Sequence, residues 1–151
     1  MLEKKTNEKG SISVLFAFLF VALMLFTSFA TDAGMLYYQQ LRLKEVGNVI
    51  REARLNNETV LQNSTHPAET LERLAKDYAV KNGLRADQVT VDFADLENES
   101  TYTHRYYEMN IYLTDTYQYK ALSILGFREQ KIRVTIHGYG DVENSAGVWK
   151  P

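Results

Sequence analysis

Residues Ile12 to Ala30 read ISVLFAFLFVALMLFTSFA, and whether this run is cut away or kept decides the fold. It holds no charged residue, no Pro and no Gly. As a helix, its roughly nineteen residues at 1.5 Å each cover about 30 Å, the hydrocarbon thickness of a bilayer. Hydroxyls at Ser13, Thr27 and Ser28 can bond carbonyls of the preceding turn, so they weigh little against insertion. Lys4, Lys5 and Lys9 precede the run and neither Lys nor Arg follows until Arg42. That asymmetry sets the amino terminus in the cytoplasm and everything after the span outside.

Two further readings of the run stay open. Ser28-Phe29-Ala30 forms a small-x-small junction before Thr31, so cleavage between Ala30 and Thr31 by a signal peptidase would release a secreted binding module. The run is longer than the 7 to 15 residues of ordinary signal-peptide cores, and helical patterning continues past the junction. Ala33, Leu36, Leu43, Val46, Ile50 and Ala53 recur at spacings of three, four and seven, one stripe along a helix. The spacing predicts a single rod from about Ser11 to about Leu55, apolar in its first half and amphipathic in its second. Asp32, just past the apolar core, is expected to be a solvated interfacial group. A membrane-tethered enzyme without a recognisable signature is the other alternative.

The chain has 151 residues, 24% charged and 45% hydrophobic, with net charge −2 and no cysteine. That length suits one anchor and one small domain. The near-neutral balance gives no electrostatic reason to expect a nucleic-acid partner, and lack of Cys excludes disulfides and thiolate metal sites.

Asp32-Ala33-Gly34-Met35-Leu36-Tyr37-Tyr38, followed by Leu43-Lys44-Glu45-Val46-Gly47-Asn48, resembles the D-x-G-x-x-Y-Y and L-Q-x-A-A-D pattern of the TadE/TadG-like proteins of tight-adherence (Flp) pilus systems. Asp32, Gly34, Tyr37, Tyr38 and Leu43 are the positions that carry it; Lys44 and Asn48 depart from it. Gly10-Ser11 is similar to the small-residue membrane entry of that family and is the candidate prepilin-type processing junction. Leu15 stands fifth after Gly10, where prepilins carry Glu. The resemblance therefore implies an accessory pilin-like structural protein of a Tad/Flp-type pilus or related surface-assembly apparatus, in place of a polymerising subunit. It implies the lipid bilayer and other pilin-like or pilus-assembly proteins as partners. Ala17, Ala22, Gly34 and Gly47 would let neighbouring pilin-type helices approach closely.

Beyond the rod, the Asn-, Ser- and Thr-rich residues 56–67 read as a linker. Pro67 suits the first turn of a second helix, with Leu71, Leu74, Ala75 and Tyr78 as its buried stripe. Gly83 and Leu84 predict a Schellman ending after about Asn82. The period then changes to two. Val89, Val91 and Phe93 predict one strand; Tyr107, Met109, Ile111 and Leu113 a longer one; Ile132, Val134 and Ile136 a third. Tyr119 to Phe127 is expected to be a compact apolar connection closed by Gly126. The fold class expected is α+β: a long transmembrane and amphipathic N-terminal helix, and a second helix packed on a small antiparallel sheet in a pilin-like plan. The corresponding segments are a cytoplasmic leader (1–10), a transmembrane helix (11–31), its extracytoplasmic extension (32–55), a linker (56–67) and a small α+β domain (68–151).

No residue pattern marks a catalytic, cofactor-binding or metal site. His66, His104 and His137 lack spacing that would bring two onto one metal. Phosphate loops, nucleophile elbows and H-E-x-x-H are absent from the sequence, so no cofactor or small-molecule substrate is expected. Six tyrosines between Tyr102 and Tyr119 suit an interface, with Tyr106 and Tyr112 expected opposite Tyr107. Trp149, the single Trp, stands near the carboxyl end.

Overall fold

A computed structural model of the chain describes residues 6–62 and 64–143. Part of the expected leader (1–5) and the tail with Trp149 lie outside the described residues. Helix α1 runs unbroken over Thr6–Asn56, and a one-turn helix α2 (Glu58–Gln62) and helix α3 (Pro67–Lys81) follow. Strands β1 (Val89–Asp95), β2 (His104–Gln118) and β3 (Glu129–Glu143) form one three-stranded antiparallel sheet in the order β1-β2-β3. The chain divides into two compact units. One joins the residues up to Tyr38 with Gln118–Gln130, and the other joins Gln39–Tyr117 with Lys131 onward.

The second unit holds the apolar core. Leu43, Val46, Ile50 and Ala53 of α1 are buried, as are Tyr107, Met109, Ile111 and Leu113 of β2 and Ile132, Val134 and Ile136 of β3. A period near 3.6 and a period of two thus present two apolar faces that cover each other. Gly47 is where they come closest: a Cβ there would lie 2.6 Å from Ile136 Cγ1 and 2.8 Å from Leu113 Cδ1. The expectation that Gly47 serves packing between separate pilin-type helices is corrected by this contact, since the sheet already occupies its surface. Gly138 and Gly140 extend the inward face of β3, and a Cβ at either would overlap the Met109 or Tyr107 side chain. Two long inward side chains of β2, Tyr107 and Met109, therefore sit against the smallest positions of β3.

β1 pairs antiparallel with β2, Val89 facing Leu113 and Asp95 facing Tyr107. Phe93 stacks on Tyr107 with ring centroids 5.0 Å apart. α3 packs against β1 through a stripe that buries Leu71, Ala75 and Ala79. Its ending is the Schellman arrangement read from the sequence. Leu84 N–H donates to the Ala79 carbonyl at 2.9 Å, Gly83 N–H donates to the Val80 carbonyl at 3.0 Å, and Gly83 has φ +80°.

Residues 56–67 are not wholly irregular. α2 forms within them because Leu61 has an apolar place to go, being 3% exposed. The Asn57 amide donates to the Ala53 carbonyl at 2.8 Å, closing the last turn of α1. Weak intrinsic helix propensity is overridden there by burial.

Gly47→Val should lower stability by about 2 kcal/mol, because added methyls have no space against Ile136 and Leu113. Gly34→Ala, at a helical position with nothing within 4 Å of the new Cβ, should raise it by about 0.5 to 1 kcal/mol. Denaturant unfolding of the detergent-solubilised full chain, followed by circular dichroism, checks both signs.

Candidate functional site

The sequence-derived positions fall into different surroundings. Gly10 and Ser11 lie inside α1, and so do Ala30 and Thr31. Thr31 Oγ1 donates to the Thr27 carbonyl and Thr27 Oγ1 to the Leu23 carbonyl, each at 2.9 Å. The helix therefore continues across both candidate cleavage junctions. Gly34 faces open space, Tyr37 and Tyr38 are exposed, and Leu43 is in the core of the other unit. The structure does not gather these positions into one cluster.

Asp32 is the exception to its own expectation. It is 1% exposed, not solvated. Its Oδ1 accepts the Lys120 N–H at 3.1 Å, and its Oδ2 accepts the Ala121 N–H at 3.0 Å and the Leu122 N–H at 2.6 Å. These three donors enter the 3-10 turn Leu122–Leu125, so no earlier turn can satisfy them. A carboxylate from another helix takes the place of an N-cap side chain. Ser28 and Leu36, one turn to either side on that face, are half-buried. The sequence held a signal for this. Buried or half-buried residues recur at 32, 36, 39, 43, 46, 50 and 53, alternating by four and three, so the stripe passes through Asp32 rather than the exposed Ala33.

Gln39, the other polar member of the stripe, donates through Nε2 to Asp115 Oδ2, and Gln88 Nε2 donates to Asp115 Oδ1 at 2.8 Å. One strand carboxylate thus joins α1 to the turn preceding β1.

The turn that Asp32 holds is closed by its own bonds. Tyr119 N–H donates to the Arg128 carbonyl at 3.0 Å, and Gly126, at φ +91°, donates to the Ser123 carbonyl at 3.0 Å. Tyr119 and Phe127 meet edge to face at 6.0 Å. Leu122 is buried, whereas Ile124, Leu125 and Phe127 point their side chains outward.

In the other unit the tyrosines separate as the alternation requires. Tyr107 is buried, and Tyr106 lies half-buried on the opposite face between His104 at 6.5 Å and Tyr139 at 6.1 Å. Tyr139 donates to Glu99 Oε2 at 2.9 Å, a bond that pushes its phenol above the usual range. Burial does the same to Tyr107, opposed by the Arg54 guanidinium 5.8 Å from its ring centre. Arg54, Glu58, Leu61, Tyr107, Tyr139 and Asp141 line a cleft of about 270 Å³, under the 300 to 1,000 Å³ usual for small-molecule sites. Among the described residues no group of three or more His, Asp or Glu is placed to hold a metal ion.

Among the described residues one helix is long and apolar enough to cross a membrane, and no part of its most apolar window is buried inside the protein. Residues 10–44, which contain that run and Asp32, match the family model described as "Putative Flp pilus-assembly TadE/G-like". This segment is similar to that family. The match stops at Lys44 and leaves all three strands outside it. That description is one of pilus assembly. No curated protein and no solved structure matches the chain.

Asp32→Ala should loosen the 120–122 backbone by on the order of 2 kcal/mol, seen as roughly 30-fold faster amide exchange at Lys120, Ala121 and Leu122 with α1 retained. Asp32→Asn keeps one acceptor oxygen and should give a smaller increase. For Tyr107, the folded phenol ionises above the unfolded one. Its contribution is therefore complete below the ordinary tyrosine value of about 10 and is lost as pH rises through the folded value. Denaturant midpoints measured from pH 8 to 11 should fall further for the native sequence than for Tyr107→Phe.

Proposed function

We propose that the chain is a single-pass membrane-anchored accessory component of a Tad/Flp-type pilus or related surface-assembly apparatus. The observation that carries this reading is the coincidence of the TadE/G-like match, at residues 10–44, with a helix whose most apolar window no other part of the described protein covers. An unburied apolar surface of that extent belongs in lipid or against another apolar helix. Residues 11–31 are the span. Lys4, Lys5 and Lys9 before it favour a cytoplasmic amino terminus, with the residues that follow outside. The mechanism is structural: the helix retains the subunit in the bilayer, and the sheet-bearing unit with its exposed tyrosines meets other pilin-like or pilus-assembly proteins.

Membranes from cells that make the protein should keep it through alkaline carbonate extraction, and its intact mass should include residues 11–31. A soluble product beginning at Thr31 would show release by signal peptidase instead. Loss of the gene should reduce surface filaments, while filaments sheared from native cells should contain the protein only far below the level of their main subunit. Finding it as that main subunit would overturn the accessory role.

A further inference from the structure

The connection between β2 and β3 has an unusual outward surface. Ile124 is 89% exposed, Leu125 55% and Phe127 54%. The core does not use these side chains, because Leu122 alone of the turn's aliphatic residues is buried. Nor is the segment a loose loop: the Asp32 carboxylate, the Tyr119 to Arg128 bond and the Gly126 closure hold its backbone.

Its attachment point is what identifies the surface it meets. The turn is bonded to α1 at Asp32, immediately after the uncharged run Ile12–Ala30 and within the same compact unit. At 1.5 Å per residue, Asp32 stands only about 3 Å along the axis from Ala30. Tyr119 and Phe127 flank the aliphatic tip, and exposed Lys120 and Arg128 stand at its base. An apolar tip bordered by aromatic and basic residues has the composition of a segment at a membrane interface, where acyl chains give way to headgroups.

We propose that the 119–128 turn is a second membrane contact, inserting Ile124, Leu125 and Phe127 into the outer acyl and headgroup boundary with Lys120 and Arg128 on lipid phosphates. The occupant is the lipid surface next to the chain's own span, so the inference rests on the anchored reading above. Asp32 then has a positioning role. It fixes the depth and rotation of the turn about α1, giving the subunit two points of attachment where a lone helix would be free to tilt and spin.

Because the sequence lacks cysteine, a single Ile124→Cys substitution in the full chain accepts an environment-sensitive fluorophore at one position. A Phe20→Cys counterpart reports on the span. Both labelled proteins are reconstituted into phosphatidylcholine and phosphatidylglycerol vesicles, with and without lipids brominated along the acyl chain. The expected result is blue-shifted emission and bromine quenching at both positions, strongest with shallow bromines at 124 and with deep bromines at 20. Quenching at 20 with water-like emission at 124 would overturn the second contact and leave the anchor standing. Water-like emission at both would overturn the anchor and the contact with it. Blue-shifted emission at 124 without bromine quenching would place the surface against protein, in these vesicles a second copy of the chain, and overturn the lipid contact.

Discussion

One carboxylate and three backbone N–H groups fix the β2–β3 connection to the long helix. Asp32 is buried, and a buried carboxylate is tolerable only where donors replace its lost water. Lys120, Ala121 and Leu122 supply them from consecutive peptide units, the arrangement that makes the start of a helical turn attractive to anions. Here the anion belongs to the protein. Each side removes the other's penalty: the turn loses its orphan donors and α1 loses an unpaired acid. The burial of Leu122 and the exposure of Ile124, Leu125 and Phe127 both follow from where that turn is held.

α1 also has to satisfy two kinds of surroundings without a break. Its side chains from Ile12 to Ala30 are almost all exposed, while Leu43, Val46, Ile50 and Ala53 are in a packed core. Apolar contacts alone would specify the helix's axial position poorly, since a slide of one heptad still presents aliphatic residues. Asp32 and Gln39 stand on the same stripe, and each has a particular polar partner, the 120–122 backbone for one and Asp115 for the other. A shift by one turn would strand both, so polar residues in an apolar stripe set register.

Most of the fold was legible because burial leaves a period in the side chains. The stripe at Leu43, Val46, Ile50 and Ala53, the alternation through Tyr107 and Leu113, and Gly83 with Leu84 at the end of α3 are visible in the side-chain pattern alone, and the structure places each accordingly. What escaped notice leaves no such trace. Asp32 bonds backbone N–H groups 88 to 90 positions away, and peptide donors are the same whatever residue carries them. Only its phase with Leu36 and Leu43 pointed inward, and an acid beside an apolar run invites the solvated reading. Gly138 and Gly140 punctuate the sequence like a turn, yet they continue β3, because the volume they leave is taken by Met109 and Tyr107. α2 was hidden by composition, since one buried Leu61 outweighs several poor helix formers.

The same asymmetry bears on how function is distributed along the chain. A clamp made from a helix carboxylate and loop peptides constrains one side chain on the helix and only backbone geometry on the loop. Any connection with three free N–H groups in the right place satisfies Asp32, whatever its side chains. Information about anchoring and register is therefore concentrated in the helix, in the residues 10–44 that the TadE/G-like model matches. The loop's own side chains are released from that duty and are free to serve contact with the surroundings. Ile124, Leu125 and Phe127 are exposed while Ile111, Leu113, Ile132, Val134 and Ile136 of the strands they connect are buried, and that freedom is the physical reason they can be.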